Sequence, residues 1–209
     1  MMKLTDIQDF TDNNGNKIVG KVFKNSNSIV LFRGKNNTLI IGKNVSLADV
    51  CIRFDAHNST IIIGDNSQYI GIIRVGIDCN VSIGSNLTVT EKCYMSCGEG
   101  TNIDVGNDCM FASFNQLRTD DAHPIFDLET KKRVNSSASI YIGDHVWLGY
   151  ESILLGGATI GAGSVVGMRA LVNKDFAAIA NNSLIVGIPG QIVRSNISWE
   201  RTHVNLHEP

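Results

Sequence analysis

The sequence predicts an all-β fold, a parallel β-solenoid, on three observations. An aliphatic–glycine pair followed by a polar turn recurs: IIGKNVS at Gly42, IIGDNSQ at Gly64, SIGSNLT at Gly84, DVGNDCM at Gly106, YIGDHVW at Gly143 and TIGAGSV at Gly161, spaced 22, 20, 22, 37 and 18 residues apart. Over the last stretch a period of six runs unbroken through Ile142, Leu148, Leu154, Ile160, Val166 and Val172, and three sixes make the coarse spacing of 18. Four residues after each of these stands Val146, Ser152, Ala158, Ser164, Ala170 or Phe176, mostly small. A helix needs a period of about 3.6 and a half-buried strand a period of two, so neither explains a period of six. Short strands joined by polar and glycine turns do, three to a coil, each coil burying its apolar side against its neighbours.

Residues 1–38, rich in asparagine, lysine and serine, are expected to form irregular strands that cap the first coil. The coils are expected over 39–176, and their early spacings of 20 and 22 imply bulged corners. Glycine straight after the aliphatic residue suits a tight corner with unusual φ. The small slot of the early coils holds Cys51, Cys79, Cys93 and Cys109, four places after Leu47, Val75, Val89 and Val105, which predicts inward-facing filler. Five cysteines with no CxxC pair argue against a disulfide framework or zinc ribbon.

The interval of 37 exceeds one coil by 37 − 18 = 19 residues, so the chain leaves the solenoid and returns within 113–139. Loops longer than about 12–15 residues are commonly functional. Leu117, Ile125, Phe126 and Leu128 give this one apolar groups that a neighbouring subunit would cover. Residues 177–209 are expected as a C-terminal capping segment, with Pro189 in a turn and the last fifteen residues as a capping or partner-binding tail.

With 209 residues, 43% of them hydrophobic, the chain fits one domain with a real core. A net charge of −2 argues against a nucleic-acid binder that works by phosphate neutralisation. No apolar run opens the chain and none approaches the length of a span, so no membrane segment and a cytoplasmic location are expected.

His123 is the candidate for chemistry. It lies in the excursion, in Thr-Asp-Asp-Ala-His-Pro-Ile-Phe-Asp, where Pro124 fixes the backbone and Asp120, Asp121 or Asp127 offers a carboxylate to set its tautomer. His57 and His145 fall at turn positions and read as solvated. His203 and His207 have zinc-compatible spacing on a helix but no third ligand nearby, so no metal is expected. Trp147 is too large for a small slot and is expected on the outer surface, as a stacking platform or an interface anchor. Gly156, Gly157, Gly161, Gly163 and Gly167 match no phosphate-loop pattern and read as corners of the repeat.

The pattern [Ile/Leu/Val]-Gly-x-x-small-x, loose from residue 39 and strict over 140–194, resembles the hexapeptide-repeat acyltransferases. The resemblance implies a left-handed parallel β-helix, acetyl-CoA as cosubstrate and a homotrimer with sites between subunits. The loop with its His-Pro pair resembles the catalytic loop of sugar O-acetyltransferases, which makes His123 the general base. In similar enzymes the Val-Trp-Leu-Gly segment lines the thioester, which makes the backbone N–H of Trp147 a candidate oxyanion donor. Val-x-Lys-Asp and Gly-Ile-Pro-x-x-Ile-Val-Arg resemble segments that hold coenzyme A. On that mapping pantetheine runs past Gly149, Tyr150, Gly167 and Met168, with Asn173, Lys174 and Arg194 near the nucleotide end. Gln191 stands where the family more often has a basic residue.

DDAHPIFDLE, HVWLG and Asn-Ile-Ser-Trp-Glu-Arg look like the bacterial capsular polysialic acid O-acetyltransferases. That narrower resemblance implies a saccharide acceptor that is an anionic polysaccharide, with Arg33, Arg53, Arg74, Arg118 and Lys131-Lys132-Arg133 as local positive spots. The alternative acceptor is a small sugar or a nucleotide-amino-sugar precursor. The gamma-type carbonic anhydrases share the solenoid but need a His-x4-His pair and a third histidine, and the middle coils here hold His123 and His145 alone. An ice-binding solenoid needs a threonine ladder, which does not continue beyond Thr88 and Thr90.

Overall fold

The computed structural model describes residues 1–176 and 181–204. Among these there is no α-helix; parallel strands climb three faces of a solenoid. One coil shows the path. Thr38–Ile41 forms the third face, the chain turns at Asn44, and Ser46–Phe54 covers the first face, bends at Asp49 and continues on the second. It turns again at Asn58 into Thr60–Ile63, one rung up on the third face. The first and second faces belong to one 15-stranded sheet because strands such as Ser46–Phe54 and Gln68–Val75 run round the corner between them.

The aliphatic residues before the repeat glycines stack in register. Ile41, Ile63, Ile83, Val105, Ile142 and Ile160 are successive Cα partners on the third face, all facing the core. The glycines that follow them are required for a different reason from the one expected. Their φ angles are ordinary, and the left-handed residues come two places later, at Asn44, Asn66, Asn86, Asp108, His145 and Gly163. Asparagine and aspartate tolerate that region through local hydrogen bonding. The glycines answer to coil-on-coil contact instead. A Cβ on Gly64 would sit 2.5 Å from the carbonyl carbon of Gly84, and one on Gly84 would sit 2.7 Å from that of Gly106.

Cys79, Cys93, Cys97 and Cys109 are buried. Cys51 departs from the slot expected of it and is only half-buried. The bulge at Asp49 (φ 50°) shifts the register after Ala48, so Val50 and Ile52 take the inward positions. A one-residue slip sends every following side chain to the other face. The wide early coils are filled by large groups, with Phe32 stacked on Phe54 at 4.9 Å and Tyr69 fully buried.

The solenoid also begins earlier than residue 39. Lys17–Val19 pairs in parallel with Thr38–Ile41, and Lys24–Ser26 and Ile29–Phe32 with Ser46–Phe54, so the first coil starts at Lys17. Only the antiparallel strands Met2–Leu4 and Phe10–Thr11 lie outside the coil pattern at this end. At the other end Leu184–Val186 adds one more parallel rung on Val165–Val166, and Gln191–Arg194 folds back antiparallel upon it.

Candidate active site

The excursion leaves the coils at Thr119, after Gln116–Arg118, and returns at Ile140–Ile142. Leu117 is therefore core, while Ile125, Phe126, Leu128 and Val134 are exposed on the loop. The loop springs from the corner between the second and third faces. Its root is fastened by Ala138 N–H donating to the Thr119 carbonyl (3.1 Å) and by an antiparallel bridge between Phe126 and Arg133. Arg133 makes a two-point contact with Glu99 one coil below (2.6 and 2.8 Å), and Ser137 Oγ donates to the same carboxylate. The Arg133 guanidinium, then Ser137, hold the Glu99 carboxyl at about 2, well below the usual range.

Asn135 frames the His-Pro pair. Its Nδ2 donates to the His123 carbonyl and to Asp121 Oδ2 (both 2.9 Å), and its Oδ1 accepts from Ile125 N–H at 2.7 Å. The backbone is thus fixed on both sides of Pro124 while the His123 ring stands exposed. None of the three acids expected to orient that ring does so. Asp120 Oδ1 accepts from Ala122 N–H, Asp121 is taken by Asn135, and Asp127 closes a turn on Thr130. Asn135 and Glu99 carry no local signature in the sequence, being 12 and 24 residues from His123.

Trp147 is exposed on the first face, as expected, at 36% of its surface. Its neighbours in register are Met110 and Val165. Its backbone N–H is not available to an oxyanion, because it donates to the Ser164 carbonyl at 3.0 Å in the parallel ladder. Three residues on, at the corner between the first and second faces, the N–H of Tyr150 donates to no acceptor among the described residues.

Gly149–Tyr150 and Gly167–Met168 stack at that corner on consecutive coils. A Cβ on Gly149 would meet the Met168 nitrogen at 2.8 Å, so glycine keeps these coils in contact. Tyr150 and Met168 project outward, Met168 at 68% exposure. Tyr150 lies edge-on to Phe114 at 5.8 Å, and its phenol is pushed up by its hydrogen bond to Glu151, which in turn holds Arg169 at 2.6 Å. Asn173 is elsewhere, at the loop's corner, in a cleft of about 230 Å³ lined also by Arg118, Asp121, Asn135 and Gly156. Lys174 rests over the Phe176 ring at 5.1 Å with its Nζ 3.4 Å from Gln191 Oε1, and Arg194 is exposed on the last strand.

His123 and Trp147 are not brought together within one chain. His123 rises from the corner between the second and third faces, and Trp147 lies on the first face, across the core from that corner. The cofactor candidates divide the same way, Tyr150 and Met168 at one corner and Asn173 at another.

A basic stripe runs up the second face toward the loop. Arg53 and Arg74 are Cα partners, followed in the same row by Ser96 and Arg118. Arg33, Arg53 and Arg74 converge on Asp55 at 3.2, 3.1 and 2.5 Å. Burial alone would raise the Asp55 carboxyl, but hydrogen bonds from Arg74 and Arg53 outweigh it and the net shift is downward. Three cations on one anion leave the stripe positive. Arg133, by contrast, is paired by Glu99, and Lys131 and Lys132 stand exposed at the loop tip.

His145 is held rather than solvated. Its Nδ1 lies 2.6 Å from Asp108, and its ring stacks on Trp199 at 4.1 Å. His57 Nδ1 accepts from Lys35 N–H. His207 lies outside the described residues.

No family model matches the chain. Among solved structures, the polySia-specific acetyltransferase NeuO superposes with a TM-score of 0.83 at 34% identity, covering 93% of this chain and 82% of that one. The chain belongs to the hexapeptide-repeat acetyltransferases. The polysialic acid O-acetyltransferase OatWY superposes with a TM-score of 0.79 at 29% identity over 92% of this chain and 91% of its own. The polysialic acid O-acetyltransferase of Escherichia coli O1:K1 / APEC is 34% identical over 130 residues, 62% of this chain and 39% of the relative. The chain spans about two fifths of the length of the first curated relatives it matches. With these neighbours the solenoid is the left-handed parallel β-helix. No helix among the described residues is long and apolar enough to cross a membrane.

Proposed function

We propose that the protein transfers acetyl from acetyl-CoA to a sugar hydroxyl of a sialic acid polymer, by direct attack in a ternary complex. The observation that carries the reading is the His-Pro loop, pinned by Asn135 on a coil stack like those of two polysialic acid acetyltransferases. The neutral His123 imidazole takes the hydroxyl proton as the oxygen attacks the thioester carbonyl. The new C–O bond forms, the C–S bond breaks, and the imidazolium returns its proton to the departing thiolate. A positioned histidine base contributes about 10²–10⁴-fold. The oxyanion needs a donor that costs no backbone hydrogen bond, and the N–H of Tyr150 meets that requirement where Trp147 does not.

Because His123 and Trp147 lie on different sides of one solenoid, the site is completed by a second subunit. The exposed apolar residues of the loop rest on that neighbour, and closed cyclic symmetry makes the assembly a homotrimer. Pantetheine lies along Tyr150 and Met168, with Lys174 and Arg194 toward the nucleotide. Its use of acetyl-CoA, made in the cytoplasm, places the reaction there. The arginine stripe supports an anionic acceptor.

The test is release of free coenzyme A by the purified protein offered polysialic acid, free sialic acid or an amino-sugar nucleotide. Turnover on the polymer is expected. Turnover confined to the amino-sugar nucleotide overturns the acceptor and makes the enzyme an N-acyltransferase.

A further inference from the structure

The segment after the last strand runs down the corner between the third and first faces, against the climb of the coils. Ile197 N–H donates to the Asn182 carbonyl at 2.9 Å. One coil is skipped, and Trp199 Nε1 donates to the His145 carbonyl at 2.9 Å. Arg201 reaches the next two coils down, Asp108 Oδ1 (2.8 Å) and the Cys109 carbonyl (2.8 Å) on the first, Thr88 Oγ1 (2.8 Å) and the Asn86 carbonyl (2.9 Å) on the second. Asp108 joins the two anchors, one carboxylate oxygen on Arg201 and the other on His145.

This corner is built to receive the strap. Its left-handed position is asparagine at 44, 66 and 86 but aspartate at 108 and histidine at 145, the two coils where Arg201 and Trp199 dock. The exchange provides an anion for the guanidinium and a flat ring for the indole. Trp199 is 9% exposed, with the His145 ring stacked on it at 4.1 Å and an interplanar angle of 11°. Trp147, two residues beyond His145, meets it at 6.1 Å with a tilt of 45°. That geometry falls within the range of favourable aromatic pairs.

We propose that Trp199 is a positioning residue: the strap clamps it on His145 so that its indole fixes the Trp147 ring as a wall of the acetyl-transfer site. The proposal rests on the reading above that places Trp147 beside the thioester. Trp147 stands in a row with Met110 and Val165, and Trp199 closes one side of its arc. The docked tail thereby contributes to catalysis through another residue without touching the reacting atoms.

The two tryptophans are the only ones in the chain, so removing one leaves the other as sole emitter. Trp199→Ala and Trp199→Phe are compared for kcat/KM with acetyl-CoA and for iodide quenching of Trp147. The alanine variant is expected to lose about 10-fold in kcat/KM and to expose Trp147 to quencher, and the phenylalanine variant to recover most of both. The loss must vanish when Trp199→Ala is made in a Trp147→Ala background, which a merely structural role would not produce. His145→Asn restores the ordinary corner residue and removes the stacking partner while keeping Trp199, and it should give part of the same loss if Trp199→Ala fails to fold. Additive losses in the double variant, or unchanged quenching and unchanged kcat/KM in both His145→Asn and Trp199→Ala, overturn the proposal. If Trp147→Ala alone leaves kcat/KM intact while quenching still responds to Trp199, the clamp stands and the placement of Trp147 at the thioester fails.

Discussion

Arg133 grips Glu99 through both carboxylate oxygens, at 2.6 and 2.8 Å, and with Ser137 on the same carboxylate this pair ties the returning arm of the His123 loop to the coil beneath it. Glu99 itself is a left-handed corner residue (φ 54°), and its carboxylate is exposed apart from its contacts with the loop. The loop's shape thus depends on a residue in a different coil.

Glu99→Gln should loosen the loop without unfolding the coils. Limited proteolysis between 119 and 139 is expected to accelerate while the thermal midpoint moves little, since exposed ion pairs contribute little to global stability. The pH dependence has a definite sign. Because Glu99 is depressed to about 2, its contribution is complete above the normal carboxylate range near 4.3 and is lost as pH falls through about 2. Proteolysis of the wild-type loop should therefore be flat from pH 5 to 8 and rise only in strong acid. A rise near neutrality would place the anchor elsewhere.

His123→Ala should lower kcat by about 10²–10⁴-fold and leave the affinity for coenzyme A and the thermal midpoint nearly unchanged, because its ring is exposed and bonds to nothing among the described residues. Turnover close to wild type would remove His123 as the base.

Gly84→Ala should cost more than Gly100→Ala. At Gly84 the new methyl would lie 2.7 Å from the Gly106 backbone, and coils cannot part there without breaking their ladder. Overpacking of this kind costs about 1–3 kcal/mol. At Gly100 the nearest atom is 4.0 Å away and the cost comes from a φ of 71°, about 1–2 kcal/mol, which Gly100→Asn should largely avoid. Chemical denaturation of the three variants checks the order.

How much of this was legible in the sequence follows from where the period is strict. From Ile142 to Val172 every sixth residue is inward, and the fold could be read directly. In the early coils Asp49 inserts a bulge that the sequence does not mark, so Cys51 falls out of phase, and the first coil carries its aliphatic–glycine pair, Val19-Gly20, one residue out of register, with Val19 opposite Ile40 and exposed. The loop and its histidine were legible because an excess of residues must go somewhere. Its supports were not, since Glu99 and Asn135 are distant in sequence and their pairing is set by corner geometry. The hydrogen bond of the Trp147 amide is hidden in the sequence for a related reason: a parallel ladder takes the N–H of a strand residue facing its neighbour, and that register is visible only once the coils are stacked.

Trp147→Ala and His123→Ala should complement each other. If the loop of one subunit serves the first face of the next, mixed refolding of the two impaired variants yields interfaces with both residues intact, about one in four for equal mixing around a ring. Recovery of roughly that fraction of activity is expected. No recovery, with trimers present by sedimentation, would confine the site to one chain.

Salt should weaken use of a long anionic acceptor far more than that of a short neutral one. Arg33, Arg53 and Arg74 share the single carboxylate of Asp55 in their ion pairs, so the stripe below the loop carries more positive than negative charge there. Successive rungs stand about 4.8 Å apart, so the row from Arg53 to Arg118 spans about 14 Å, longer than one sugar and suited to several charges along a polymer. The Debye length of about 8 Å at physiological ionic strength is shorter than that row, so added salt uncouples its ends from a bound chain. Arg74→Gln should raise KM for the polymer severalfold, leave kcat nearly unchanged, and flatten the salt dependence, while KM for a neutral short acceptor stays as it was. Chemistry and donor are common to both acceptors, so a difference between them isolates the stripe. Equal salt dependence for the two would take the polymer away from the second face and leave His123 acting on a small sugar.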